Sequence, residues 1–194
     1  MHQLNMSLAS VLAVAFGVFV LYRVFGNGPA VVVSFNRIEQ LFGADVANFS
    51  QLKLVQSCCG APPTLDGSWQ LKQDLDNSWI LVTQMFYRPP DYGYEAFPIP
   101  INFRSVPVCD YLNSCDYGQF WFRYRYNTNF PERVLGRWMC PLPRGEYQMR
   151  MAPLGTGFLP WFPKVGAYRF EFRLMRGGVL RMSVALFFDV AIVQ

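Results

Sequence analysis

The sequence predicts a mainly β protein made of antiparallel strands, and three observations carry that expectation. Tyr168, Phe170, Phe172 and Leu174 alternate with Arg169, Glu171 and Arg173, the two-residue period of a strand that buries one face. After Gly177-Gly178 the alternation resumes in Leu180, Met182, Val184 and Leu186. Aromatic residues make up 17% of the 194 residues, and such side chains suit a pleated, half-buried surface.

Leu8 to Tyr22 is an uncharged, strongly apolar run of 15 residues. It is shorter than the roughly 20 residues of a membrane span and matches the apolar region of a signal peptide. Residues 1–26 are therefore expected to be a targeting segment, with Gly26 and Gly28 as small residues near a cleavage point. Arg23, directly after the run, leaves an uncleaved anchor as the alternative. No repeat, low-complexity tract or Ser/Gly linker divides the rest, so 27–194 reads as one domain, long enough to bury a sizeable core.

Strands are expected over Val31–Leu41, Gln51–Gln56 and Ser68–Leu75, and a strand buried on both sides over Trp79–Tyr87. Phe97–Phe103 contains two prolines and is restricted to an edge or extended segment. Val108, Tyr111, Leu112 and Cys115 are spaced for one helical face, so a helix begins near Val108. Its end is open: Gly118 could break it, and Phe120–Tyr126 alternates locally like a strand. Tyr147, Met149 and Met151 alternate with Gln148 and Arg150, and Phe158–Pro163 is an apolar loop.

In the final hairpin, a two-residue Gly177-Gly178 loop would set Leu174 opposite Arg181. A three-residue loop, Arg176–Gly178, pairs Leu174 with Leu180 and Phe172 with Met182 instead. Because a one-residue slip reverses every face, the three-residue loop is expected.

The only histidine is His2, inside the targeting segment, so histidine-based nucleophilic catalysis and histidine-containing zinc sites are not expected. The five cysteines lack CxxC spacing, and Gly155-Thr156-Gly157 lacks the context of a dinucleotide-binding turn. Asp74 and Asp76, the closest carboxylate pair, sit beside Asn77-Ser78 in an expected turn, where aspartate is favoured structurally. The expectation is a binding protein, not an enzyme, with no cofactor and no metal.

Net charge is +4, and from Phe120 onward eleven basic residues face four acidic ones. That region suits an anionic or acidic partner, or simply the solvent face of strands. The Arg–aromatic interleaving of Phe120–Tyr126 is read as an amphipathic structural segment, with no nucleic-acid ligand expected. Passage through a secretory pathway would favour disulfides among Cys58, Cys59, Cys109, Cys115 and Cys140, with one left over and connectivity open; one of Cys58 and Cys59 could pair with Cys115. Asn48-Phe49-Ser50 is an N-glycosylation sequon, which makes Asn48 a candidate modification site.

Three landmarks add a resemblance: Val106–Leu112, Cys140–Tyr147 and Gly166–Phe170. Asp66–Lys72 followed by Asp76–Trp79 supplies a middle hairpin. In that order they resemble a divergent family of small secreted insect proteins that includes the CheA-type chemosensory proteins. That family is similar to the ganglioside-activator, or ML-type, lipid-recognition fold. The resemblance runs from about Arg37 to the C-terminus.

It implies an antiparallel β-sandwich or cup with one helix after Cys109, a Cys109–Cys140 disulfide, and a lipid cavity. The chemosensory members imply a hydrophobic cue such as a pheromone, in a secreted, extracellular setting. A sensory receptor or an acidic surface is a further partner. The chain departs from the activator proteins in lacking their several disulfides.

An apolar cavity is best filled by a hydrophobic small molecule or lipid, since each buried methylene contributes about 0.8 kcal/mol. Candidate wall residues are Met149, Met151, Phe170, Phe172, Leu174, Met182 and Val184, with Phe158, Trp161 and Phe162 at the mouth. The alternative is a secreted interaction protein without a small ligand, using its Arg-rich face to hold an acidic partner.

Overall fold

The computed structural model describes residues 30–56, 63–89, 93–96, 105–132, 134, 137–154 and 164–193. Residues 1–26, expected to be a targeting segment, Cys58, Cys59, the Phe97–Phe103 segment and the expected Phe158–Pro163 loop lie outside the described residues.

Among the described residues ten strands and two short helices follow in the order β1 (Ala30–Phe42), β2 (Ala47–Asn48), β3 (Lys53–Val55), β4 (Thr64–Leu71), β5 (Trp79–Arg88), β6 (Glu95–Ala96), β7 (Ser105–Pro107), α1 (Val108–Leu112), α2 (Cys115–Tyr124), β8 (Gly145–Pro153), β9 (Gly166–Arg176) and β10 (Val179–Val193). Every pairing is antiparallel. The large sheet runs β1-β10-β9-β5-β6, with β7 also on β5; the small sheet runs β2-β4-β3, with β8 on the other side of β4. This is the mainly β architecture expected of a sandwich or cup, with two helices where one was anticipated.

Directly opposed residues of antiparallel strands point to the same side, so the register divides the large sheet into faces. Phe35, Phe188, Tyr168 and Tyr87 form one transverse row across four strands. Their rings pack in sequence at centroid distances of 5.8, 5.1 and 5.2 Å. Below them come Ile38, Leu186, Phe170 and Met85, then Gln40, Val184, Phe172 and Thr83, then Met182, Leu174 and Leu81. The apolar residues of one strand face each other across the sheet, and burying each contributes about 2 kcal/mol.

The β9–β10 hairpin differs from the expected register. Arg176 pairs with Val179 across a two-residue Gly177-Gly178 loop, and both glycines have positive φ, 57° and 77°. Glycine adopts that conformation without the clash of a Cβ. The conflict anticipated for this loop, Leu174 beside Arg181, is removed by a bulge: Met175 pairs with Leu180, but Leu174 pairs with Met182. Arg181 is the extra residue, and from Met182 onward the apolar face is restored.

The strand of Tyr147, Met149 and Met151 is bulged as well. Gly67 pairs with Met149 and Leu65 with Ala152, so Arg150 and Met151 together oppose Asp66. Met151 takes φ +46° and its N–H donates to Asp66 Oδ1 at 3.0 Å. Tyr147, Met149 and Ala152 are buried while Met151 is 49% exposed, so the expected alternation ends at Met149.

The helix begins at Val108 as the spacing indicates, but ends after Leu112. Asn113 and Ser114 separate it from α2: Ser114 Oγ accepts from the Tyr117 N–H at 3.2 Å, as a helix N-cap does. Gly118 lies within α2, and Phe120–Tyr124 is helical, not extended. Val108 and Leu112 are buried, Tyr111 is half-buried and Cys115 is exposed, so the four do not share one buried face.

Cys109 and Cys140 form the disulfide implied by the resemblance, with Cα atoms 5.3 Å apart. Beside it the Asn113 side chain donates to Met139 O at 3.1 Å and accepts from Met139 N at 3.0 Å. Cys115 is a free, exposed thiol; Cys58 and Cys59, considered as its partners, lie outside the described residues.

After α2 the chain covers the outer edge of β8 largely with side chains. Asn127 Nδ2 donates to Arg150 O, Thr128 Oγ1 to Gln148 O and Asn129 Nδ2 to Glu146 O, at 2.7, 2.8 and 2.9 Å. A strand edge that would otherwise present free carbonyls is thereby closed.

Candidate functional site

The inner face of the large sheet packs in two separate clusters. One contains Val33, Phe35, Met85, Tyr87, Tyr168, Phe170, Leu186, Phe188 and Val190, with Leu54 and Leu154 against it. The other gathers Leu174, Met182, Val184 and Trp79 around Val108, Leu112, Tyr117 and Tyr147. A third, smaller group on the small sheet joins Leu52, Met149 and Ala152.

Phe172 lies between the first two. Its neighbours on the same face, Phe170 and Leu174, are 7% and 4% exposed, yet Phe172 itself is 40% exposed. Its ring packs edge-on against Phe170, at 4.9 Å and 88°. The row that holds it, Gln40–Val184–Phe172–Thr83, is the one inner row with polar residues at both ends. Within that row Val184 is 6% exposed and Gln40 is bonded across to Ala47 and Phe49, so Phe172 is the exposed member. An aromatic ring exposed on an otherwise buried face offers contact area to an apolar group.

The expected wall residues fall into three places. Phe170 belongs to the upper cluster, and Leu174, Met182 and Val184 to the lower one. Met149 is on the small sheet, and Phe172 is at the opening. Met151 projects from the bulge, away from them. Phe158, Trp161 and Phe162 lie outside the described residues. Sequence reasoning missed Thr83 and Gln40, which only the cross-strand register places beside Phe172.

The opposite face of the large sheet has a different chemistry. Glu171 is 2% exposed there. Arg169 Nε stands 2.7 Å from its Oε1, and Arg173 Nε donates to its Oε2 at 2.6 Å. Arg173 also donates to Gln84 Oε1. The guanidinium groups lie over rings: Arg37 over Phe187 at 3.8 Å, and Arg169 over Phe86 at 4.3 Å and Tyr94 at 5.1 Å. Arginine can stack and pair at once because its charge is spread over a plane.

Asp74 and Asp76 hold the chain. Asp74 Oδ1 accepts from the Arg144 N–H at 2.6 Å. Asp76 Oδ1 accepts from the N–H and the hydroxyl of Ser78, and those bonds hold its carboxyl below the usual carboxylate range. Burial pushes the phenols of Tyr117, Tyr168 and Tyr147 above the ordinary tyrosine range.

No curated protein matches the chain. Residues 81–170, from β5 through both helices and β8 into β9, match the family described as protein of unknown function DUF1091.

Proposed function

We propose that this is a secreted carrier that holds a hydrophobic small molecule, a lipid or semiochemical, between its sheets. The observation that supports it is Phe172, an aromatic ring exposed on the inner face between two well-packed clusters. An apolar chain laid across it would gain dispersion contacts with the exposed part of that ring. The resemblance to chemosensory and lipid-recognition proteins agrees with this reading.

The test is to express the full chain in insect cells, purify it from the medium, and combine native mass spectrometry with organic extraction. About one lipid per protein, lost in Phe172→Arg while the variant keeps its circular-dichroism spectrum, supports the carrier. Lack of any co-purified lipid, with no binding across fatty acids, hydrocarbons and glycolipids, overturns it.

A second reading has its own observation. The outer face of β1, β9 and β10 carries Arg37, Arg169 and Arg173 stacked on aromatic rings, a surface suited to an acidic partner such as a receptor segment. Salt-sensitive capture of acidic peptides by the lipid-free protein, weakened in Arg37→Ala, would favour it.

A further inference from the structure

The sequon Asn48-Phe49-Ser50 occupies β2 and the turn that follows it. Phe49 is half-buried and stacked on Trp69, with ring centroids 4.8 Å apart and planes 14° from parallel. In β2 Ala47 is buried and Asn48 half-buried, and Ser50 in the following turn is exposed. Asn48 Oδ1 accepts from the Ser50 N–H at 3.0 Å, which orients the amide. Its Nδ2 has no hydrogen-bond partner among the described residues.

Beside Asn48 lies a recess of about 230 Å³ on the outer face of the small sheet. Ser50, Gln51, Ser68, Trp69, Gln70 and Glu146 contribute to its lining with Asn48. Hydroxyls, amides and a carboxylate match the hydrogen-bonding groups of a sugar. The recess is smaller than the roughly 300 Å³ at which drug-sized sites begin, so it fits one sugar residue and not a chain of them.

We infer that Asn48 carries an N-linked glycan whose first sugar rests in this recess. The inference shares with the carrier reading only the route through the secretory pathway. The donor class is a polyprenyl-pyrophosphate-linked oligosaccharide. Nδ2 bonds to the anomeric carbon of the donor, and the bond from that carbon to the pyrophosphate oxygen breaks. The pyrophosphate leaves with the electron pair, and Nδ2 gives up one proton. The transfer precedes folding, and the fold accommodates its product because the half-buried Asn48 borders the recess and its Nδ2 has no hydrogen-bond partner among the described residues.

The experiment uses the full chain expressed in insect cells with its own N-terminus, and a second version led by a foreign signal peptide. Peptide mapping after amide-cleaving glycosidase in heavy-oxygen water is expected to convert Asn48 to a labelled aspartate. The gel shift is lost in Asn48→Gln and Ser50→Ala and kept in Ser50→Thr. Trimming of the native glycoprotein by an endoglycosidase is expected to run several-fold faster in Gln70→Ala than in the unaltered chain. Secreted protein with an unlabelled Asn48, from either version, overturns the inference and leaves the lipid assay to judge the carrier reading alone. Equal trimming rates overturn the seat in the recess.

Discussion

The side chain of Gln40 pairs with the backbone around Phe49 as a neighbouring strand would. Its Nε2 donates to Ala47 O at 2.7 Å and its Oε1 accepts from the Phe49 N–H at 3.0 Å. Gln40 belongs to β1 of the large sheet and Ala47 and Phe49 to the β2 region of the small one, so one amide joins the two layers. Ala47 is fully buried, and no solvent replaces the bond if it is lost.

Gln40→Leu keeps the volume and removes both bonds. An unsatisfied buried carbonyl and N–H together cost about 2 kcal/mol. The urea midpoint is expected to fall with an unchanged slope. A shift within the roughly 0.5 kcal/mol of an ordinary surface substitution would deny the amide this role.

Glu171 stands between Arg169 and Arg173 on the outer face, almost fully buried beneath them. Removing it in Glu171→Ala leaves two adjacent guanidinium groups without their counter-ion, a loss of about 3 kcal/mol. Glu171→Gln keeps an acceptor for Arg173 and is expected to lose less. Thermal unfolding at low and high salt ranks the two, and equal melting temperatures would refute the arrangement.

Alkaline pH should weaken the fold through its tyrosines. Tyr117 and Tyr168 are buried, and burial raises their folded pKa values above the unfolded value of about 10. Below that pH both states hold the phenolic proton and the contribution is fully present. Above it the unfolded chain holds fewer protons than the folded chain, so stability falls as pH rises, by about 1.4 kcal/mol per pH unit for each tyrosine. Tyr117→Phe, which also forgoes the 2.9 Å bond from the hydroxyl to Pro131 O, should flatten this decline. Urea midpoints on either side of about pH 10 measure it, and identical slopes in the two proteins would contradict the burial argument.

The alternation in β9 and β10 is legible from composition alone because each strand buries one face of a regular ladder. Bulges are not legible in the same way. At Met151 the apolar period continues in the sequence, and only the Asp66 side chain and a positive φ reveal that the backbone has turned. At Arg181 the conflict between a Gly-Gly loop and an apolar register is visible in the sequence. It has two physical solutions, a longer loop or a bulge, and the chain uses the second. The break between α1 and α2 did have a signal, since Asn113-Ser114 is a stop followed by an N-cap. The exposure of Phe172 had none, because periodicity assigns a residue to a face and says nothing of how completely the opposite layer covers it.

The Cys109–Cys140 bond turns the helical segment into a closed covalent ring. Arg137 is exposed within it. A trypsin cut there would leave one species on a non-reducing gel and two after reduction. The nicked chain would keep its helices tethered to the strands on both sides, so proteolysis of this exposed stretch alters the backbone without releasing a piece of the protein.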